Sequence, residues 1–220
     1  MGKLYTLGHG VLSLGDFLLR LKSFGIDVLL DCRSTPWYKP GDPKAVFNEN
    51  SLPAELSRLG IRYVPMGRYF GDKPSDSARF TLPVPNTPYF VIDYRKERER
   101  EEFRRAVDNV ISGVRDGHNV ALLGIEENPL SNFVCLFLSP VFAAKNCHPI
   151  HIEADGSSLS QEEFEDRLLR LYSLPPYENN GDTPASLLSE GPALPEGVSP
   201  IDEAYRRRNI DIAPRKKFAS

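Results

Sequence analysis

Short apolar segments alternate with amphipathic ones along most of this chain, and this alternation constrains the fold more than any other feature. Residues 3–7, 28–30 and 120–123 are short and apolar, as buried strands are. Residues 14–24 and 95–115, which lie between them, carry apolar side chains at helical spacing. Strands alternating with helices predict an α/β, Rossmann-like fold with a mostly parallel sheet flanked by helices.

The length and a change in composition predict how the chain is divided. A chain of 220 residues suits one large domain, or one domain with an appendage. After Ser173 the sequence becomes polar and is punctuated by prolines. We therefore predict an α/β domain over residues 1–172 and an extended, Pro-rich C-terminal tail over residues 173–220, with a short helix near residues 201–208.

Charge, cysteine content and hydropathy exclude several classes of protein. The formal net charge is −3 with acids and bases intermixed, so nucleic acid is not an expected partner. Three cysteines without a C-x-x-C motif argue against a disulfide framework or a structural zinc site. The first residues show no signal-peptide pattern, and no apolar stretch is long enough to span a bilayer. We expect a cytoplasmic protein with no membrane partner, and its oligomeric state is left open.

Polar side chains follow three of the predicted strands. His9 comes after the first strand, Asp31 and Arg33 end the second, and Glu126 follows the strand at residues 120–123. Ligands of open α/β sheets bind outside the carboxyl ends of the strands. If these strands are neighbours, the four side chains share one pocket, and we predict all four as catalytic residues.

Each of these residues has a chemical role to offer and a structural alternative. The ordinary pKa of histidine, about 6.5, suits His9 to acid–base chemistry, whereas the alternative is a histidine that fixes the turn. Asp31 can orient His9, and Arg33, two residues further on and on the same side, can hold a carboxylate or phosphate with two parallel hydrogen bonds. The alternative for this pair is a structural ion pair. Glu126 offers a second carboxylate, or it caps the following helix.

Two long loops, residues 34–50 and 65–88, carry aromatic and basic side chains that can cover such a pocket. Positive loops above a pocket indicate a small anionic ligand. The predicted substrate-binding residues are Arg33, Trp37, Asn48, Arg68 and Tyr69.

Two cofactor hypotheses stay open, one for haem and one for a divalent metal. His9 and Cys32 are the candidate cofactor-binding residues. His9, Asp31 and Glu126 are the candidate metal ligands, since a His/Asp/Glu set suits a non-haem metal. Cys32 alternates with Asp31 and Arg33, so buried packing on the opposite side of the sheet is the alternative for it.

Several short motifs occur in an order that resembles one known family. The chain reads Tyr-Thr-Leu-Gly-His-Gly at residues 5–10, Asp-Cys-Arg-Ser-Thr-Pro at residues 31–36 and Phe-Asn at residues 47–48, and Glu126 is followed by a proline three positions later. These motifs and their spacing, over about residues 3–155, resemble the DUF488 family, a domain of unknown function. The resemblance implies a Rossmann-like fold and an undefined enzymatic role.

One departure from the family pattern makes this chain a divergent member. The family usually continues with Cys-His-Arg, whereas residues 130–135 read Leu-Ser-Asn-Phe-Val-Cys here. A mechanism that uses the family cysteine as a nucleophile therefore cannot be carried over.

Three functions are compatible with these residues. The first is an enzyme that acts on a small anionic or nucleotide-like substrate by acid–base chemistry. The second is a haem- or metal-binding cofactor protein. The third is a non-catalytic binding module of a nucleic-acid-processing or defence complex.

Overall fold

The computed structural model describes residues 1–71, 79–175, 194 and 197–217. Within these ranges the strands are β1 (Leu4–Gly8), β2 (Val28–Asp31), β3 (Arg62–Pro65), β4 (Phe80–Pro83), β5 (Tyr89–Ile92), β6 (Val120–Gly124), β7 (Ile150–Ile152), β8 (Ser158–Ser160) and β9 (Arg215–Lys217). The helices are α1 (Leu14–Ser23), α2 (Leu52–Arg58), α3 (Gly67–Phe70), α4 (Tyr94–Glu97), α5 (Glu101–Arg115), α6 (Phe133–Phe137), α7 (Ser139–Ala143), α8 (Gln161–Leu171) and α9 (Pro200–Ile212), with a 3-10 helix at Pro43–Phe47.

The main sheet has six strands in the order β3-β2-β6-β1-β7-β8. The pairs among the first five are parallel, and β8 runs antiparallel to β7. This arrangement confirms the predicted α/β fold with a mostly parallel sheet flanked by helices. A second sheet of three antiparallel strands has the order β4-β5-β9.

The main sheet is covered on both faces because successive strand residues point to opposite sides. On the face that we call the α1 face, Leu7, Leu29 and Leu123 pack with Phe17 of α1 and Leu56 of α2. On the opposite face, which we call the α5 face, Leu30 and Leu122 pack with side chains of α5, α6 and α8. Burial on both faces explains why these strands read as continuous apolar runs in the sequence.

Two predicted segments differ from the structure. The helix predicted over residues 95–115 is divided into α4 and α5, since the backbone at Arg100 is extended. Between the two helices the Arg98 side chain donates to the carbonyls of Leu136 and Phe137. The loop predicted over residues 65–88 contains α3 and β4, while residues 72–78 of that loop lie outside the described residues.

The described part of the C-terminal region contains one helix and one strand. The short helix predicted near residues 201–208 is present and is longer, since α9 spans Pro200–Ile212 behind an N-cap at Ser199. Beyond it, β9 pairs with β5. Residues 176–193, which make up much of the predicted tail, lie outside the described residues. In the described ranges, every helix is too short or too polar to cross a membrane.

The strand order brings the three predicted polar strand ends together. β6 lies between β1 and β2 and pairs with both in parallel. The register aligns Gly8 with Gly124 and Asp31 with Leu123, so the three strands end at the same edge of the sheet. The residues that follow these strands are therefore neighbours.

Candidate functional site

His9 directly follows Gly8, the last residue of β1, and only glycine fits at position 8. A Cβ on Gly8 would lie 1.9 Å from the carbonyl oxygen of Glu126. The tight approach directs His9 onto the α1 face, where its ring stacks on Phe47 with centroids 4.5 Å apart. Its Nε2 shares a hydrogen bond of 2.9 Å with the hydroxyl of Tyr38. The side chain is fully buried, at 0% exposure.

Burial keeps His9 neutral. Desolvation, followed by the positive charges of Arg33 and Lys44, lowers the pKa of His9 from its ordinary value to about 4. At neutral pH the ring therefore carries one proton, which sits on either nitrogen. Its Nδ1 is buried and makes no hydrogen bond of normal geometry with the described residues, although the backbone of Gly10 lies near the ring and raises its pKa slightly.

Asp31 and Arg33 form a buried ion pair at the end of β2. Nε and Nη2 of Arg33 donate to the two carboxylate oxygens of Asp31 at 2.8 and 2.6 Å. Nη2 also donates to the carbonyl of Phe47 at 2.7 Å. Both side chains are about 1% exposed, so the structure brings these two predicted residues together as a desolvated pair.

Asp31 has no acceptor capacity left for another group. Besides the two guanidinium bonds, it accepts from the backbone N–H of Arg33 at 3.1 Å and from the hydroxyl of Tyr63 at 2.7 Å. In the structure the hydrogen-bond partner of His9 is Tyr38 rather than Asp31, which was predicted to orient it. The Nε–Nη2 edge of Arg33, which would hold an anion with two parallel bonds, is occupied by Asp31.

Arg33 keeps its positive charge, and one of its nitrogens is not engaged by Asp31 or Phe47. Burial lowers the pKa of Arg33, but the hydrogen bonds and the charge of Asp31 outweigh burial and raise it. Its Nη1 is buried and makes no hydrogen bond of normal geometry in the described ranges, although the Tyr38 hydroxyl lies near the guanidinium. The charge of Arg33 also lowers the pKa values of His9 and Tyr38, so these groups lie within short electrostatic range of one another. We refer to His9, Asp31, Arg33, Tyr38 and Tyr63 as the polar cluster.

Tyr38 closes the polar cluster and is held in place by Asn48. The side-chain amide of Asn48 accepts from the backbone N–H of Tyr38 at 2.5 Å and donates to its carbonyl at 2.9 Å. Burial raises the pKa of Tyr38, so its hydroxyl stays protonated at neutral pH. Asn48, predicted to bind substrate, is thus engaged in positioning Tyr38.

Glu126 lies beside the polar cluster at the end of β6. Its carbonyl accepts from Nδ2 of Asn132 at 2.8 Å, and the negative charge of Glu126 contributes to the raised pKa of Tyr38. Its side chain is half-buried. Glu126 is therefore close to the cluster.

The residues do not group as the metal hypothesis requires. Among the residues that the structure describes, no three His, Cys, Asp or Glu side chains come close enough to hold a metal ion. The proposed ligand set of His9, Asp31 and Glu126 is therefore not assembled.

Neither buried cysteine near the site is suited to act as a thiolate. Cys32 packs in the core of the α5 face, where burial raises its pKa well above the ordinary value. Cys135, which ends the segment that departs from the family pattern, lies 3.2 Å from the hydroxyl of Thr6, and burial raises its pKa to about 12. A haem ligand at Cys32 or a nucleophile at Cys135 would require ionising a fully desolvated thiol.

The remaining predicted substrate-binding residues lie outside the polar cluster. Trp37 is on the loop after β2 and is 55% exposed. Arg68 and Tyr69 belong to α3 and line a cleft on the α5 face. The structure thus separates into two regions what the sequence predicted as one site.

Tyr38 and Tyr63 are the cluster residues that the sequence did not assign to the site, and it did not assign Phe47, which stacks on His9, either. Tyr63 stands opposite Leu29 in the pairing of β2 with β3 and therefore shares the α1 face with Asp31. Once the pairing of β2 with β3 is known, the alternation of side chains along a strand assigns Tyr63 to the α1 face. No comparable signal in the sequence predicts that Phe47 stacks on His9, since that contact depends on the path of the loop.

The fold and the polar cluster define this chain as a Rossmann-like α/β protein with a buried polar site at the carboxyl ends of neighbouring parallel strands. The family model described as a domain of unknown function, DUF488, matches residues 13–136. This segment is more than half of the chain and includes Asp31, Arg33, Tyr38 and Tyr63. The chain belongs to the DUF488 family. No curated protein and no solved structure matches it significantly.

Proposed function

We propose that this protein is an enzyme that moves a proton on a small anionic substrate, with His9 and Tyr38 as the acid–base pair. The observation that carries the proposal is that two buried nitrogens of the cluster, Nδ1 of His9 and Nη1 of Arg33, make no hydrogen bond of normal geometry with any described residue. The Gly10 backbone lies near His9 and the Tyr38 hydroxyl lies near Arg33, but both fall outside that geometry. Buried polar atoms in native proteins nearly always have a hydrogen-bond partner, so an exception calls for a functional explanation. A ligand that bonds to both atoms supplies one.

The electrostatics of the cluster support an anionic substrate. Asp31 balances the charge of Arg33, yet the guanidinium still acts on His9, as does Lys44. A single anionic oxygen at Nη1 of Arg33 would receive a charge-assisted hydrogen bond in a desolvated setting, where such bonds are strong. Asp31 then serves as the anchor of Arg33 rather than as an acid–base group.

The protonation states support proton transfer by His9. A neutral imidazole can accept a proton from the substrate. The protonated hydroxyl of Tyr38 lies 2.9 Å from Nε2 of His9 and can exchange a proton with that nitrogen. Glu126 offers a carboxylate beside this pair. General acid–base groups of this kind contribute about 10²- to 10⁴-fold to the rate.

Substrate entry requires the loop after β2 to move, since His9 and Arg33 are sealed by Tyr38 and Phe47. The loop has a defined closed state, because Asn48 clamps Tyr38 and the N–H of Glu49 donates to the carbonyl of Pro36 at 2.9 Å. We propose that opening this loop admits the substrate and closing it excludes water. The small anionic ligand and the cytoplasmic location are, like the activity, predictions.

Turnover of pooled metabolites tests the proposal. Pools of phosphorylated and carboxylated small molecules would be incubated with the purified protein, with His9→Gln, with Tyr38→Phe and with the matched control His148→Gln, which changes an exposed histidine. We expect at least one anionic compound to be consumed by the parent and the control, and about 100-fold more slowly by His9→Gln. Equal consumption by folded His9→Gln protein would exclude His9 as the acid–base group.

A non-catalytic binding module is the second candidate. The absence of the family's Cys-His-Arg trio and the burial of Cys135 favour it. In that case small anions would raise the thermal stability of the parent protein without being consumed.

A further inference from the structure

The α5 face carries an open cleft that is separate from the polar cluster. It encloses about 530 Å³ and shares no lining residue with the cluster. Leu30, Val64 and Met66 form its apolar floor, and Ala106 and Gly113 of α5 form one wall. A volume of this size is within the range of about 300–1,000 Å³ that small-molecule sites have.

The cleft is open because α5 presents small side chains to it. A Cβ built on Gly113 meets no atom within 4 Å, so the position has room for a larger side chain. Glycine is the least favourable residue in a helix apart from proline. Gly113 lies within α5 without a positive φ angle, so its backbone does not require glycine. The small residue therefore leaves space for a ligand.

The rim of the cleft is positively charged. Arg62, Arg68 and Arg105 line it, together with one carboxylate, Glu102. Arg68 pairs with Glu102 at 3.9 Å, and Arg105 pairs with Glu101 at 3.2 Å. Arg62 forms no ion pair within the described part of the chain. An apolar floor beside an arginine without a counter-charge is complementary to a molecule with an apolar body and one negative charge.

We propose that this cleft binds a small amphipathic carboxylate. Its aliphatic or aromatic body lies on Leu30, Val64 and Met66, and its carboxylate contacts Arg62. Arg68 and Tyr69, which the sequence predicted as binding residues of the polar site, belong to this second site. The proposal shares no residue with the polar cluster, so it stands whether or not the cluster is catalytic.

Methionine methyl NMR with decanoate as the probe tests the proposal on the full chain. The sequence contains two methionines, of which Met66 lines the cleft and Met1 is 95% exposed. In protein labelled with ¹³C at the methionine methyl groups, decanoate should shift the Met66 signal saturably. The Met1 signal serves as the internal control and should stay in place.

Two variants test the body and the head of the ligand separately. Gly113→Leu fills the cleft and should abolish the Met66 shift, whereas Gly15→Leu, the same change at an exposed position of α1, should leave it intact. Arg62→Gln should weaken decanoate binding about three- to fivefold, as expected for a solvent-accessible charge pair. Uncharged decanol should bind the parent and Arg62→Gln equally.

The proposal is overturned if decanoate leaves the Met66 signal unchanged, or if folded Gly113→Leu protein binds decanoate as tightly as the parent. If Gly113→Leu does not fold, Arg62→Gln decides the question, because unchanged decanoate affinity in that variant contradicts the proposed carboxylate contact.

Discussion

The two faces of strands β2 and β3 differ in how their charged residues are paired. On the α1 face, Arg33 is buried and donates to Asp31 and to the carbonyl of Phe47, with one nitrogen left over. On the α5 face, Arg62 is exposed and has no ion pair among the described residues. The first region is rigidly specified by hydrogen bonds, and the second is an open surface. Two arginines close together in the fold, one just after β2 and one on β3, thus belong to a sealed polar site and to an open cleft respectively.

The largest expected difference between the regions concerns the buried ion pair. Asp31→Asn leaves the Arg33 guanidinium buried without a counter-charge, which costs about 3–5 kcal/mol. Chemical denaturation of the parent and the variant measures this loss. A loss below about 1 kcal/mol, the range of exposed ion pairs, would show that the polar cluster is hydrated and not sealed.

The glycines of the two regions should respond to alanine in opposite directions. Gly8→Ala places a Cβ against the backbone of Glu126, and we expect it to destabilise the protein by about 3 kcal/mol. Gly113→Ala adds a methyl group in open space and should stabilise α5 by about 0.5–1 kcal/mol. Thermal or urea unfolding measures the change in the free energy of unfolding for both variants. A change of the same sign in the two variants would contradict the proposed difference between the two positions.

Acidification should weaken the polar cluster through His9. The pKa of His9 is about 4 in the folded protein and about 6.5 in the unfolded chain, so the unfolded state binds the extra proton between these values. The contribution of His9 to the free energy of unfolding is therefore fully present above pH 6.5. It is lost as the pH falls towards 4, by up to about 1.4 kcal/mol per pH unit. His151, whose pKa burial also lowers to about 4, adds a similar contribution.

His9→Gln separates these two contributions. The variant should keep the pH dependence that His151 contributes and lose the part that His9 contributes. Urea unfolding at a series of pH values between 6.5 and 4 measures this dependence. The same slope in His9→Gln as in the parent would contradict the assignment of a depressed pKa to His9.

The smallest expected effect is on the stability of the open region. Arg62→Gln removes an exposed charge without an ion pair and should change the free energy of unfolding by less than about 0.5 kcal/mol. The same denaturation experiment that measures Asp31→Asn detects this. A loss above 1 kcal/mol would show that Arg62 has a structural partner and is not available to a ligand.

The local sequence pattern predicted the parallel sheet and three of the five residues of the polar cluster. The apolar runs predicted β1, β2 and β6, and their polar ends identified His9, Asp31 and Arg33. The contact between Asp31 and Arg33 follows from strand alternation, since side chains two residues apart share a face.

The partners of these residues depend on contacts that are distant in sequence. Tyr38 reaches His9 only because the loop after β2 folds back and Asn48 fixes it, and loop paths do not follow from periodicity. Arg68 and Tyr69 were predicted at the first site because they lie in the segment 65–88, which was expected to be a loop that covers the pocket. In the structure both residues lie in α3 and line the cleft on the α5 face. The sequence pattern did not predict α3.

The protonation state of His9 tests the central claim, that a neutral histidine in a sealed cluster is the acid–base group. Long-range ¹H–¹⁵N NMR of the imidazole rings, with His9→Gln to assign the signal, measures its pKa and tautomer directly. The account predicts a neutral His9 ring at pH 7 that titrates near pH 4, well below the ordinary histidine value. A His9 pKa near 6.5 would show a hydrated, unperturbed ring and would contradict the account.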